Sequence, residues 1–222
     1  MTKNRFPAPV RLPDTLPIRV VHQDELSDGE TLRCFESEGL SAANLVRDQI
    51  KADQVSLNHA SLVGSRFSRA RFWDVRLRAC DFANALWLDG DWTRVEVDEC
   101  RLTGFQTGDS HFEHVMFRAC KLDLSNFRLT TFTSCLFNRC NLKNADFQGC
   151  KMTAVRFEDC DLSGARFDRS ELRDVDLRSS NVAELASVEG LSGATIDPGQ
   201  AVELAPQLAG AMGLSVKYPT SE

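Results

Sequence analysis

From Leu57 to Val182 every fifth residue is large and apolar, with Thr107 as the exception. The series opens Leu57, Leu62, Phe67, Phe72, Leu77, Phe82, Trp87, Trp92 and closes Leu172, Leu177, Val182. Two residues before each stands a mostly small one, among them Ala60, Ala70, Cys80, Ala85, Cys100, Ala145 and Ala165. The other three positions of each five are mostly polar. A period of five matches neither a helix, at about 3.6, nor a flat strand, at about 2. It matches a chain that turns a corner every five residues, points two side chains inward on each side and exposes the rest.

The cysteines say how many sides make one turn. Cys80, Cys100, Cys120, Cys140 and Cys160 recur every twenty residues. Twenty is four repeats, so a square coil stacks them in one interior column. Outward charges twenty residues apart, such as Arg76 and Glu96, Asp81 and Arg101, Asp98 and Arg118, or Asp74 and Arg94, are mostly opposite in sign. Like pairs are Arg101 with Lys121 and Asp89 with Asp109. Successive coils lie about 4.8 Å apart, close enough for opposite charges to help and like charges to hurt. Each exposed pair contributes at most about 1 kcal/mol, so their use is to hold register.

A small residue, a polar one, Leu or Phe, then two variable residues resembles the pentapeptide-repeat family. Ala145-Asp146-Phe147, Ala165-Arg166-Phe167, Asn141-Leu142 and Asp161-Leu162 carry the resemblance. It implies an all-β fold, a right-handed quadrilateral parallel β-helix, and it covers residues 57–182. We expect a short C-terminal helix beyond it.

Three segments are expected. Residues 1–37 show no repeat and form an N-terminal segment covering the open end of the solenoid, whose apolar interior and strand edges need protection. Residues 38–185 form the β-helix, regular from 57 to 182. Upstream of that, Leu40, Leu45 and Ile50 keep a five-residue spacing, but Ile50 to Leu57 is seven, which predicts an irregular first coil with two extra residues. Residues 186–222 form the tail. There Asp197 and Pro198 look like a helix N-cap and first position. Val202, Ala205, Leu208 and Met212 recur at helical spacing as a candidate dimer or cap helix, which Pro206 should kink or split. The stretch Gly193–Asp197 with Gln200-Ala201-Val202 resembles the tail of mycobacterial fluoroquinolone-resistance pentapeptide proteins, a tail shared by many actinobacterial-type pentapeptide proteins. That resemblance implies dimerisation through the tail and imitation of DNA to bind gyrase.

The net charge of −6 argues against direct nucleic-acid binding, which needs a basic face. No apolar run is long enough to span a membrane, and the proline-bearing N-terminus lacks a secretion signal, so a cytoplasmic protein is expected. Among the eight cysteines there is no Cys-x-x-Cys pair, and seven fall on inward positions. They read as packing rather than as metal ligands or disulfides; Cys34 has no assignment. His111 and His114 flank Glu113 on an outward face and read as solvated, since zinc needs more ligands. No phosphate loop or nucleophile elbow is present. No catalytic residue, metal or cofactor is expected.

Residues 85–113 break the pattern most. Gly90 precedes Trp92, Phe105 takes a small position and Thr107 a large one, either a size swap that preserves volume or a bulge. Around them Trp73, Leu86 and Leu88 point outward beside Asp89, Asp91, Glu99, Asp109 and Glu113. These eight residues form the candidate partner-binding patch, because exposed apolar residues beside unbalanced acids mark interaction surfaces. Leu124 and Leu129 form a second outward apolar pair, expected to lie against the N-terminal segment.

Three functions compete: a DNA gyrase- or topoisomerase-binding rod, an interaction scaffold with another partner, and an enzyme. Duplex DNA carries about one negative charge per 1.7 Å, roughly 18 over a 31 Å rod. The repeat region is close to neutral, so only a local acidic strip could imitate it.

Overall fold

The computed structural model describes residues 7–217; residues 1–6 and 218–222, which include the outer ends of both terminal segments, lie outside the described residues. The backbone takes a positive φ at every fifth residue from Gly29 to Glu184 without a gap. Each such residue is a corner, and four corners make a coil, giving a parallel β-solenoid of about eight turns. A left-handed conformation costs an L-residue about 1–2 kcal/mol, yet Ala79, Arg139 and Leu129 adopt it here. Corner amides offset the cost by donating to the next coil, Ala79 N–H to Asp98 O at 2.9 Å and Arg139 N–H to Glu158 O at 2.8 Å.

The first two faces of most coils form one bent eight-residue strand, while one coil divides into Thr131–Thr133 and Leu136–Asn138. Thr31–Glu38, Lys51–Asn58, Arg71–Arg78, Asp91–Asp98 and His111–Arg118 stack in parallel. The third face is joined by single bridges from Ser41 through Ser61 and Asp81 to Arg101 and onward. The fourth face carries the short strands Val46–Asp48, Arg66–Ser68, Leu86–Leu88 and Gln106–Gly108. Register is twenty residues between coils throughout these faces, as in Phe72 opposite Trp92 and Trp87 opposite Thr107.

The interior is a set of ladders. Phe117, Phe137 and Phe157 stack at 4.8 Å with planes 4–6° apart. Phe127, Phe147 and Phe167 stack at 5.1–5.2 Å. The stacking distance is the coil spacing itself, so aromatic offset stacking and strand pairing demand the same rise. In the cysteine column each thiol donates to backbone carbonyls, Cys120 Sγ to Val97 O at 3.2 Å and Cys160 Sγ to Phe137 O at 3.3 Å. All eight cysteines are free, and burial pushes the Cys135 thiol up to about 12. At such a value the nucleophilic thiolate is scarce.

Two expectations are corrected and one alternative is decided. The phase does not break between Ile50 and Leu57. Thr31 pairs with Lys51, Val46 with Arg66 and Ser41 with Ser61, all twenty apart. Leu40, Leu45 and Ile50 occupy the inner position that is usually small, while Ala42 and Ala52 take the usually large one, and all five are buried. The two columns exchange sizes and no residue is inserted. The solenoid therefore starts before residue 38: Thr31–Glu38 is already a coil strand with Leu32 and Phe35 buried. At Phe105 and Thr107 the same exchange occurs without a bulge. Both are buried, Thr107 Oγ1 meets Thr130 Oγ1 at 2.6 Å, and the register is unbroken.

Gly90 has a local cause. A Cβ there would sit 2.5 Å from Trp87 Cδ1, so the glycine makes room for the indole. Trp87 and Trp92 meet edge to face at 5.3 Å and 82°, with both indole N–H groups buried and unpartnered.

The ends are closed differently. At the N-terminal end Val21 and Leu26 join the core around a 3-10 turn, Gln23–Glu25, and the coils beneath enclose an apolar cavity of about 30 Å³ lined by Leu32, Leu40 and Ile50 among others. At the C-terminal end residues 186–196 wind a further partial coil, in which Ala194 and Thr195 pair with Val175 and Asp176 at a spacing of nineteen. Helix α1, Pro198–Ala211, follows with Asp197 as its N-cap. It runs through Pro206 as one element, so the expected split is absent. Gln200 is buried, donating to Leu177 O at 2.7 Å and Ser180 O at 2.6 Å, and Leu204 joins the core. These two residues close the end. Val202, Ala205, Leu208 and Met212 do not: all four are exposed.

Candidate interaction surface

Since inward positions are filled, function falls to the outward positions of four flat faces. The patch residues share three of them. Leu86, Leu88, Asp89 and Asp109 lie together on the fourth face, where Leu86 pairs with Gln106 and Leu88 with Gly108 across coils. Trp73, Asp91 and Glu113 lie on the first face, and Glu99 sits at the corner ending the second. The structure thus places four of the eight on one face, three on a second and Glu99 apart.

On the fourth face Leu88 is exposed and Leu129, one coil beyond Asp109 in the same corner column, is 60% exposed. Asp89 and Asp109 are consecutive in that column and neither forms an ion pair among the described residues. Elsewhere on the rod several opposite charges close across coils, Arg76–Glu96 at 3.1 Å, Arg118–Asp98 at 2.6 Å, Arg71–Asp91 at 3.2 Å and Arg94–Asp74 at 2.7 Å among them. Two pairs close outside the twenty-residue register, Lys143 with Asp161 at 3.2 Å and Arg128 with Asp146 at 2.7 Å. Asp91 is neutralised by Arg71 and approached by His111 at 3.5 Å, so it does not extend the acidic strip.

The N-terminal segment behaves in a way its composition did not reveal. It runs back along the rod, across the coils. Ala8 N–H donates to His114 Nδ1 at 3.2 Å, Arg11 N–H to Asp74 Oδ1 at 2.9 Å, and Gln54 Nε2 to Arg11 O at 3.1 Å. It then reaches the second face, where Pro17 O and Arg19 N–H pair with Glu36. Leu124 and Leu129 lie on the third- and fourth-face corners and stay 61% and 60% exposed, so the expected contact with this segment is not made. Asp74 is nearly buried beneath the arm. Burial would raise its carboxyl, but hydrogen bonds from the Arg94 side chain and the Arg11 N–H prevail and hold it below the usual range. The cue available in sequence was the proline spacing of residues 7–17, which signals an extended segment without saying where it lies.

Among the described residues no group of three or more His, Cys, Asp or Glu side chains could hold a metal ion, and no helix is long and apolar enough to cross a membrane.

Solved structures similar to this chain include QnrB1, a plasmid-mediated fluoroquinolone resistance protein. Its full-length form is 14% identical, with 87% of this chain and 98% of that one covered and a TM-score of 0.40; a trypsin-treated form is 18% identical, covering 92% and 100% at a TM-score of 0.36. HetL, a pentapeptide repeat protein involved in heterocyst differentiation regulation in Nostoc sp. strain PCC 7120, is 14% identical, covering 71% and 85% at 0.22. No curated protein matches in sequence. The model of the pentapeptide repeat region matches residues 110–186, and that of the eight-copy pentapeptide repeats matches residues 52–85. With corners every five residues, ladders every twenty and these two matches along the coils, the chain belongs to the pentapeptide-repeat family.

Proposed function

We propose that this protein is non-enzymatic and acts as a rigid rod that binds another protein through its fourth face. The observation that carries the reading is the unpaired Asp89–Asp109 stack between exposed Leu88 and Leu129. Like charges about 4.8 Å apart are unfavourable, and Arg69, one coil before Asp89 in the same column, pairs with Asp48 instead. A partner with a basic group between apolar contacts would relieve the repulsion.

The most specific partner we propose is DNA gyrase or a related topoisomerase, in a cytoplasmic setting. The support is the acidic stack together with the resemblance of residues 193–202 to the tails of quinolone-resistance relatives. Imitation of DNA along the whole rod is not part of the proposal, because the faces carry alternating charge. The exposed helix stripe supports a homodimer through α1. A scaffold with a different partner is the second reading, favoured by the low charge density.

The test is gyrase supercoiling with purified protein, with and without a fluoroquinolone, beside Asp89→Lys/Asp109→Lys. We expect inhibition or drug protection at micromolar protein, weakened at least tenfold in the variant. No effect of the wild-type protein at tens of micromolar would remove gyrase as the partner. An effect equal in both proteins would remove the acidic stack as its site.

A further inference from the structure

We propose that the corner column formed by Gln54, Asp74 and His114 is a binding track for an extended, proline-containing peptide, occupied in this structure by the chain's own residues 7–17. The recognition is to backbone. Two side chains accept N–H groups of the arm, His114 Nδ1 from Ala8 and Asp74 Oδ1 from Arg11, and one side chain, Gln54, donates to the Arg11 carbonyl. Asp74 is held for this task. Arg94 grips both its oxygens at 2.7 Å from one side, and the carboxylate, only 6% exposed, gives its remaining capacity to the arm.

Spacing accounts for the match. Ala8 and Arg11 are three residues apart, which is about 9.3 Å in a polyproline II segment. Their anchors His114 and Asp74 are two coils apart, about 9.6 Å at strand spacing. A polyproline helix returns to the same side every third residue, so residues 8 and 11 both face the rod. Pro7, Pro9 and Pro13 lack N–H groups and hold the chain extended, while the two residues whose N–H groups are used are not proline. The ligand class is therefore a peptide with prolines around two free N–H groups three residues apart. The track reads spacing more than side chains, so a partner peptide of that spacing would compete with the arm.

The experiment uses the full chain. Ala8→Pro/Arg11→Pro deletes the two donors while keeping the arm extended, and so should vacate the track without touching the rod. A fluorescein-labelled peptide of residues 7–17 is titrated into both proteins and followed by anisotropy. We expect saturable binding to the variant at least tenfold tighter than to the wild type, where the tethered arm has the advantage of effective concentration. Adding Gln54→Ala/His114→Ala to the variant should abolish the binding. In otherwise wild-type chain, the same two alanines should speed tryptic cleavage after Arg11 at least tenfold, with cleavage between residues 47 and 178 unchanged. Equal or absent peptide binding in wild type and donor-deleted variant would overturn the track. Unchanged cleavage after Arg11 would show that these side chains do not hold the arm.

Discussion

A corner residue in this protein faces a conflict between its own backbone and its neighbours. Glycine removes it, and Gly64, Gly104 and Gly164 each stack on an asparagine one coil earlier, Asn44, Asn84 and Asn144, whose Oδ1 atoms would lie 2.3–2.6 Å from any added Cβ. Where the corner is not glycine, the two buried residues beside it impose the conformation. Asp74 is a corner of that kind, and it ties corner, ion pair and arm together. Its folded-state carboxyl lies below the ordinary value of about 3.9. A depressed folded value means that its contribution is complete above the unfolded value and is lost as pH falls through the folded one. Asp74→Asn should therefore cost about 2 kcal/mol at pH 7, on the scale of hydrogen bonds to a charged group. In urea melts against pH, the gap between wild type and variant should begin to shrink below about pH 4 and narrow further on acidification. A gap that does not shrink as the pH is lowered would mean that the carboxylate charge is not what holds Arg94 and Arg11.

At the scale of elements, α1 has two apolar sides and only one is used. At 100° per residue Gln200 and Leu204 fall on one side and Val202, Ala205 and Met212 on the other, with Leu208 near the boundary. The exposures follow: Leu204 is 1% exposed, Leu208 38%, Val202 75% and Met212 77%. The four residues singled out by spacing thus mix a boundary position with the free stripe, and the residues that seal the solenoid were missed. Gln200 could not be found from hydrophobicity, because a polar side chain satisfies the last carbonyls. Val202→Asp/Met212→Asp should leave the melting temperature nearly unchanged and convert a dimer to monomers by light scattering. An unchanged mass would remove this stripe as an interface. Loss of the fold instead would mean that the stripe packs on the rod.

For the whole molecule the notable property is continuity. One hydrophobic cluster runs from Val21 to Leu204, with no break at the ends of the regular repeat. Each coil contacts only its neighbours, so stability is a sum of coil terms and coil interfaces. The middle of the rod is its best-packed part, with stacked phenylalanines, whereas the N-terminal coils use Leu, Val and Ala around a small cavity. Phe127→Ala, at 0% exposure between Phe105 and Phe147, should cost about 3–5 kcal/mol and lower one urea transition. A second transition appearing in the variant would show that the two halves unfold separately once the ladder is cut.

What the amino-acid order determined alone was everything that repeats: the inward positions, the four-sided coil, the twenty-residue register and the stacking of the cysteines. These follow from side-chain size at fixed intervals, and a repeated cue survives local exceptions. The order even contained the first coil, since Ala42 and Ala52 mark the small column that Leu40 and Ile50 had exchanged with. That coil was hidden because periodicity in large residues alone cannot tell a swap from an insertion. Only the tertiary structure decided where the non-repeating segments lie. The path of residues 7–17 depends on side chains from different coils, up to 106 residues away in sequence. The separation of the patch residues onto three faces was already given by position modulo twenty, but the pairing of Asp91 and not of Asp89 or Asp109 depends on which long side chain reaches which carboxylate. Such choices rest on differences of a kcal/mol or less between rotamers, which no spacing in the sequence records.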